Sequence, residues 1–275
     1  MGSEGIKRNI GWCDETWNPI RGCRNGCWAT PEHPEGNCYA AEICRRQLTR
    51  CTRCHDHLDV HYHPERLGQP HRWRRPRQIF CGSMTDPWSE GVEPEWRREV
   101  WDVMRATPRH RYVVLTKCPE RIDGQELAGL DNLVLGVSVC TPDDAWRADI
   151  LRDLAFAGPK AVSFEPLLIH GQEWWPMIVG WASCIPGLDW IIVGAPTGAV
   201  ARMYPLTARE ATVELPRTVL WIIARAEALG VPVWIKGNLD VYLGRMGSLL
   251  AQIRGGRYRQ WPQMTPAPAE VGAVC

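Results

Sequence analysis

Tyr112-Val113-Val114-Leu115-Thr116-Lys117, followed by Leu133-Val134-Leu135-Gly136-Val137-Ser138-Val139, decides the fold. Both runs are short, apolar and β-branched, with no polar residue at alternate positions. That is the pattern of a strand covered on both faces, and hence of a parallel sheet. Gln78–Met84, Lys160–Leu168, Leu188–Val193 and Val231–Ile235 read the same way. Helical periodicity fills several of the gaps. Pro94–Thr107 brings Trp96, Val100, Val103 and Met104 onto one face. Pro142–Ala157 has Thr141 as N-cap and proline in its first turn. Leu206–Leu229 is entered around Pro216 and stopped by Gly230. Strands alternating with helices give βαβ units. A further strand at Thr16–Arg21 brings the count to seven. Six or seven such units fit a partial (β/α) barrel or an open doubly wound sheet, which periodicity does not separate. In both, ligand chemistry belongs at the carboxyl ends of the strands.

The chain has 275 residues, 45% hydrophobic and 23% charged, with a net charge of +1. This suits one barrel domain over 1–261 with an insertion at 44–77 and a loose tail at 262–275. Met1–Gly5 is no signal peptide, and no run reaches the roughly 20 apolar residues of a membrane span. A cytoplasmic protein with no membrane partner is expected. Twelve cysteines in a reducing compartment point to metal. Cys81, Cys118, Cys140 and Cys184 lie in or beside apolar runs and read as small core residues. Most of the fifteen tryptophans also fall at core positions.

Three cysteines stand apart. Cys23, Cys27 and Cys38 follow the first expected strand, with Gly22 and Gly26 free to curl around a metal. Three thiolates leave one coordination position open, whereas closed zinc needs a fourth ligand such as His33. A second group, Cys44-x6-Cys51-x2-Cys54 followed by His55, His57, His61 and His63, suits Zn2+ or an auxiliary iron–sulfur cluster. Cys51 and Cys54 with one or two of Cys44, His57, His61 and His63 would close a tetrahedral site, and Cys44, Cys51, Cys54 and His57 are the set chosen. Such a site explains how an insertion so poor in apolar residues stays ordered. Residues 45–77 carry nine arginines against three acids and show no persuasive strand or helix. With Tyr62 and Trp73 interleaved, they suit phosphate contacts and base stacking, near the cluster end of the barrel.

Trp12–Cys23, Cys38-Tyr39-Ala40, Phe80–Asp86, Leu115-Thr116-Lys117, Leu135–Ser138, Ser163–Leu168 and Asp189–Gly194 occur in order. As a set they resemble the phage-associated three-cysteine family, which is similar to the radical S-adenosylmethionine (SAM) superfamily. The resemblance spans about residues 10–237. The usual superfamily spacing is C-x3-C-x2-C, and here ten residues separate Cys27 from Cys38. The resemblance implies a partial TIM-like barrel carrying a [4Fe–4S] cluster on Cys23, Cys27 and Cys38, with SAM on the open iron. Reductive cleavage would give a 5′-deoxyadenosyl radical that takes hydrogen from a substrate. Ser83 and Asp86 then suit the SAM amino group, Lys117 its carboxylate, Ser138 the ribose or carboxylate, and Glu165 the ribose hydroxyls. Gly194 and Thr197-Gly198 would let the backbone approach adenine. The partners implied are an electron donor protein and a nucleic acid or nucleotide, modified or repaired. The rival is a non-catalytic zinc protein that binds nucleic acid through the insertion, with the barrel as scaffold. A zinc hydrolase using His33, His55 or His110 is a third reading, but no pair of these has helical ligand spacing.

Overall fold

The structure, a computed structural model, describes residues 10–25, 38–46, 51–169, 174–244 and 247–263. Nine strands form among the described residues: β1 (Glu15–Trp17), β2 (Ile20–Arg21), β3 (His61–Tyr62), β4 (Gln78–Cys81), β5 (Arg111–Thr116), β6 (Leu133–Ser138), β7 (Lys160–Phe164), β8 (Trp190–Val193) and β9 (Val233–Ile235). Seven of them make one sheet in the order β1-β4-β5-β6-β7-β8-β9. Every neighbouring pair is parallel. The sheet curls into a half-barrel, so the expected partial (β/α) barrel of seven strands is the fold.

The two-residue period of each strand divides its side chains between two cores. Tyr112, Val114, Leu133, Leu135, Val137, Val162, Phe164, Ile191, Val193, Val233 and Ile235 face outward. There they meet Trp101 and Met104 of the helix Pro94–Ala106, Leu151 of Trp146–Asp153, Trp181 of Trp174–Cys184 and Ile222 of Leu215–Leu229. The alternate residues, Phe80, Val113, Val134, Ala161, Trp190 and Trp234, face inward with Trp12, Cys13 and Trp261. Trp190 stacks on Trp261 at 4.7 Å, and Trp12 meets Trp190 edge-on at 5.7 Å. These aromatics plug the amino-terminal end of the half-barrel. The same inward register continues to Lys117, Ser138, Ser163, Glu165, Gly194 and Lys236, which is where polarity begins.

Two expectations change. Thr16–Arg21 is not one strand. Pro19 has no N–H to donate, and Asn18 turns its amide away from the sheet to Ser83 and to the backbone N–H of Met84. The chain then leaves the sheet, and β2 pairs antiparallel with β3, inside the segment that carried no strand pattern. The helix expected over Pro142–Ala157 is a 3-10 turn at Pro142–Asp144 followed by Trp146–Asp153. Gly230, at φ +68°, ends Leu215–Leu229 as expected. Cys81, Cys118, Cys140 and Cys184 are all buried, and burial pushes the Cys118 and Cys184 thiols up to about 12. They are inert core residues. Among the described residues no helix is long and apolar enough to cross a membrane.

Candidate functional site

A cavity of about 800 Å³ opens at the carboxyl ends of the strands, well inside the range of small-molecule sites. Cys23 and Cys38 line it, together with Ser83, Asp86, Lys117, Ser138, Ser163, Glu165 and Lys236. Cys27, His33 and the expected tail from residue 264 onward lie outside the described residues.

The cysteine side is built from backbone contacts. Gly22 sits at φ +85°, in the left-handed region open to glycine, and turns the chain off β2. Cys23 then donates its N–H to the His57 carbonyl at 2.8 Å, and Arg24 donates Nε to the Leu58 carbonyl at 3.0 Å. Cys38 immediately precedes the helix Tyr39–Arg45, and its Sγ lies 3.6 Å from His57 Nε2. His57 is therefore a neighbour of the first cysteine group. Its other ring nitrogen, Nδ1, is buried with no hydrogen-bond partner among the described residues.

Asp86 lies at the cavity, but its carboxylate is occupied. Oδ1 accepts from Thr116 Oγ1 at 2.8 Å and from the Trp88 N–H at 3.1 Å. Oδ2 accepts from the Lys117 N–H at 2.7 Å and from Asn25 Nδ2 at 2.8 Å. Those four bonds use the roughly four lone-pair sites of a carboxylate. Asp86 thus ties the loop after β4 to the loop after β5 and to the cysteine loop, in place of the ammonium contact expected of it. Ser83 exchanges hydrogen bonds with Asn18 at 3.0 and 3.3 Å. Ser138 and Ser163 are register partners on β6 and β7 and both face the cavity.

Glu165 pairs with Lys236. Gly194 lies beneath the pair. A Cβ there would meet Glu165 Cδ and Lys236 Cδ at 3.1 Å, so the glycine lets the ion pair lie flat on the sheet end. The pair is only 26% and 15% exposed at its two side chains. Lys236→Met should therefore destabilise by somewhat less than the ~3 kcal/mol seen when a fully buried pair is broken. The double variant with Glu165→Gln should recover most of that loss, since no lone charge is left behind. Denaturant midpoints of the single and double variants check both statements.

The second group is assembled differently from expectation. Cys51, Cys54, His61 and His63 bring one donor atom each within 4.8 Å of one another. Cys44 is not among them. It is buried beside Ala40 and Met84, with Arg21 Nη2 at 3.8 Å from its sulfur. His57 is turned toward Cys38. The Cys54 N–H pulls the Cys51 thiol below its ordinary range, while burial pushes Cys54 up and holds His63 low.

The basic segment is split. Arg46 lines the cavity, and exposed Arg24 follows Cys23. Arg72, Arg74 and Arg75 are exposed but lead into the amino end of β4, pinned there by Arg109 on the carbonyls of Pro70, His71 and Trp73. They lie at the end of the barrel opposite the cavity, contrary to expectation. Asn18, Asn25, Ser163 and Lys236 are the site residues that sequence reasoning missed. Ser163 and Lys236 had a signal, since each stands two residues from another inward position.

The chain is thus an α/β protein, a parallel half-barrel with a cysteine-lined cavity at the carboxyl ends of its strands. The chain belongs to the family described as protein of unknown function (DUF5131), whose profile matches residues 7–210. No curated protein matches it in sequence. Its fold is similar to a spore photoproduct lyase variant with bound AdoMet and dinucleoside spore photoproduct. That match has a TM-score of 0.51 at 12% identity and covers 78% of this chain and 73% of the other. A second variant of the lyase gives 0.48 at 12% identity, over the same shares of the two chains.

Proposed function

We propose that the chain is a radical SAM enzyme acting on a nucleic acid or nucleotide, on one barrel domain over 1–261 with an insertion at 44–77. The observation that carries this reading is a shared cavity. Two of the three loop cysteines open into the same 800 Å³ space as the hydroxyl, carboxylate and ammonium groups at the strand ends. A sulfur donor set suits an iron–sulfur cluster, and a polar strand-end lining suits an amino acid and a ribose. The similar fold of AdoMet-bound spore photoproduct lyase supports the same reading.

Cys23, Cys27 and Cys38 would hold a [4Fe–4S] cluster. The chemistry that cluster and SAM supply when bound is reductive cleavage of SAM and hydrogen abstraction from the substrate, with the electron delivered by a donor protein. The chain's own residues bind and orient. Glu165, fixed by Lys236, presents a carboxylate to ribose hydroxyls, while Ser138 and Ser163 offer adjacent hydroxyls. Lys117 would meet the SAM carboxylate and Ser83 its amino group, and Gly194 would serve the nucleoside by letting the Glu165–Lys236 pair lie close to the sheet end. Asp86 positions the loops. The tryptophan plug closes the far end and limits water. Arg46 supplies a cation for substrate phosphate at the cavity. Cytoplasmic reducing conditions suit such a cluster.

Anaerobically purified and reconstituted protein should be brown with four cluster irons per chain, the number in the cofactor. Dithionite plus SAM should release 5′-deoxyadenosine. A reconstituted chain that stays colourless, holds zinc alone and leaves SAM intact would overturn this reading in favour of a zinc-containing scaffold. Arg46→Ala should raise the KM for an oligonucleotide substrate while leaving substrate-free SAM cleavage in place.

A further inference from the structure

We infer that Cys51, Cys54, His61 and His63 form a closed mononuclear Zn2+ site, and that this site clamps the insertion against the loop bearing Cys23. The inference is independent of the radical SAM reading. The donor set comes from two local devices. Cys51 and Cys54 sit at the ends of a tight turn in which the Cys54 N–H bonds the Cys51 carbonyl at 3.1 Å and the His55 N–H bonds Thr52 at 3.0 Å. His61 and His63 are two apart on and just after β3, so the strand period puts both rings on one side. Tyr62, between them, points the other way, stacks on Trp96 at 5.5 Å and donates its hydroxyl to Glu99.

The donor set, two thiols and two imidazoles, suits zinc, and the distances suit a single ion. Zn–S of about 2.3 Å and Zn–N of about 2.0–2.1 Å at tetrahedral angles require donor separations of about 3.3–3.8 Å. Cys54 Sγ lies 3.2 Å from His61 Nε2 and 3.1 Å from His63 Nε2, and Cys51 Sγ lies 3.9 Å from His61 Nε2. These separations bracket the tetrahedral range, and all four donor atoms lie within 4.8 Å of one another, so shifts of a few tenths of an ångström seat one ion among them. A two-iron cluster with mixed ligands puts its histidines on the iron remote from its cysteines. Here Cys54 is instead closest to both histidines. The outer contacts are those of ligating imidazoles. His61 Nδ1 lies 2.6 Å from the Asp59 carbonyl and His63 Nδ1 lies 2.7 Å from Glu65 Oε1, so each ring turns Nε2 toward the thiols. Four protein donors leave no open position, which makes the site structural.

The clamp follows from what the ligands flank. Arg21 and Ile20 pair with His61 and Tyr62, and the His63 N–H bonds the Pro19 carbonyl at 2.7 Å. Residues 57–60, between the two ligand pairs, carry the His57 carbonyl that receives the Cys23 N–H. Fixing both ends of this stretch fixes the loop that fixes Cys23.

Metal analysis of the full chain tests this. Expected is one zinc per chain, retained in iron-free Cys23→Ala protein and lost in Cys54→Ser and His63→Ala. Zinc X-ray absorption on the parent chain should give two sulfur and two nitrogen neighbours, a measurement that needs no variant to fold. Stripping zinc from the Cys23→Ala chain should speed tryptic cleavage after Arg53 and Arg66 at least tenfold. Four irons with no zinc, iron in excess of four, zinc retained in Cys54→Ser, or cleavage indifferent to chelation would each overturn the proposal. One zinc with no iron and no SAM cleavage sinks the radical SAM reading alone and leaves this one standing.

Discussion

Cys23→Ala and Cys38→Ala should each give colourless protein with no cluster iron and no 5′-deoxyadenosine above background. Removing an outer-shell partner of a metal ligand already costs roughly 10–100-fold in affinity or activity, and removing one of only three thiolates should exceed that. Stability should barely change. Both cysteines border the cavity and are only partly buried, so truncation enlarges an existing space rather than opening a hole in the core. Cys184→Ala is the opposing control. Its side chain is fully buried in the outer core, so it should cost about 1 kcal/mol in lost packing while keeping all its iron. Iron quantitation, SAM cleavage and melting temperature, read on the same three proteins, separate the two behaviours. A Cys38→Ala chain with full iron would remove Cys38 from the ligand set.

How much of this was readable in the sequence follows from how local each determinant is. Six sheet strands were legible because burial on both faces leaves a continuous apolar signature. Strand direction then placed Ser138 and Glu165 at the right end. The same logic, applied to Arg72–Arg77, contradicts their expected place near the cluster end, since those residues lead into β4 rather than leave it. The Cys-x2-Cys pair was legible because its turn is local. His61 and His63 were among its named partners, but the choice between them and Cys44 or His57 was not legible, because the two-residue β3 is too short to show a period and exists only through its pairing with β2. Lys236 is 71 residues from Glu165, too far along the chain for the pair to show as a local pattern. Asp86 looked like a ligand group because its four donors come from three separate loops, none recognisable as a set beforehand.

Gly22→Ala should be the most damaging glycine-to-alanine change among the described residues. A Cβ at this position would stand 2.4 Å from the Asp59 carbonyl oxygen and 2.7 Å from Val60 Cα. Both are backbone atoms, so no side chain can swing aside. They belong to the stretch held by β3, by the His57–Cys23 bond and by the Cys/His group. The positive φ adds about 1 kcal/mol of its own. Gly230→Ala isolates that second part: φ there is +68° and nothing lies within 4 Å of the added carbon. Gly230→Ala should therefore cost about 1 kcal/mol and leave metal content alone. Gly22→Ala should cost upwards of about 3 kcal/mol, a fall in melting temperature of about 6–12 °C for a chain of this size. It should also lose iron, because relieving the clash moves the residue next to Cys23. If the two alanine variants melt alike and hold iron alike, the insertion does not grip the cysteine loop, and the positioning of Cys23 must come from elsewhere.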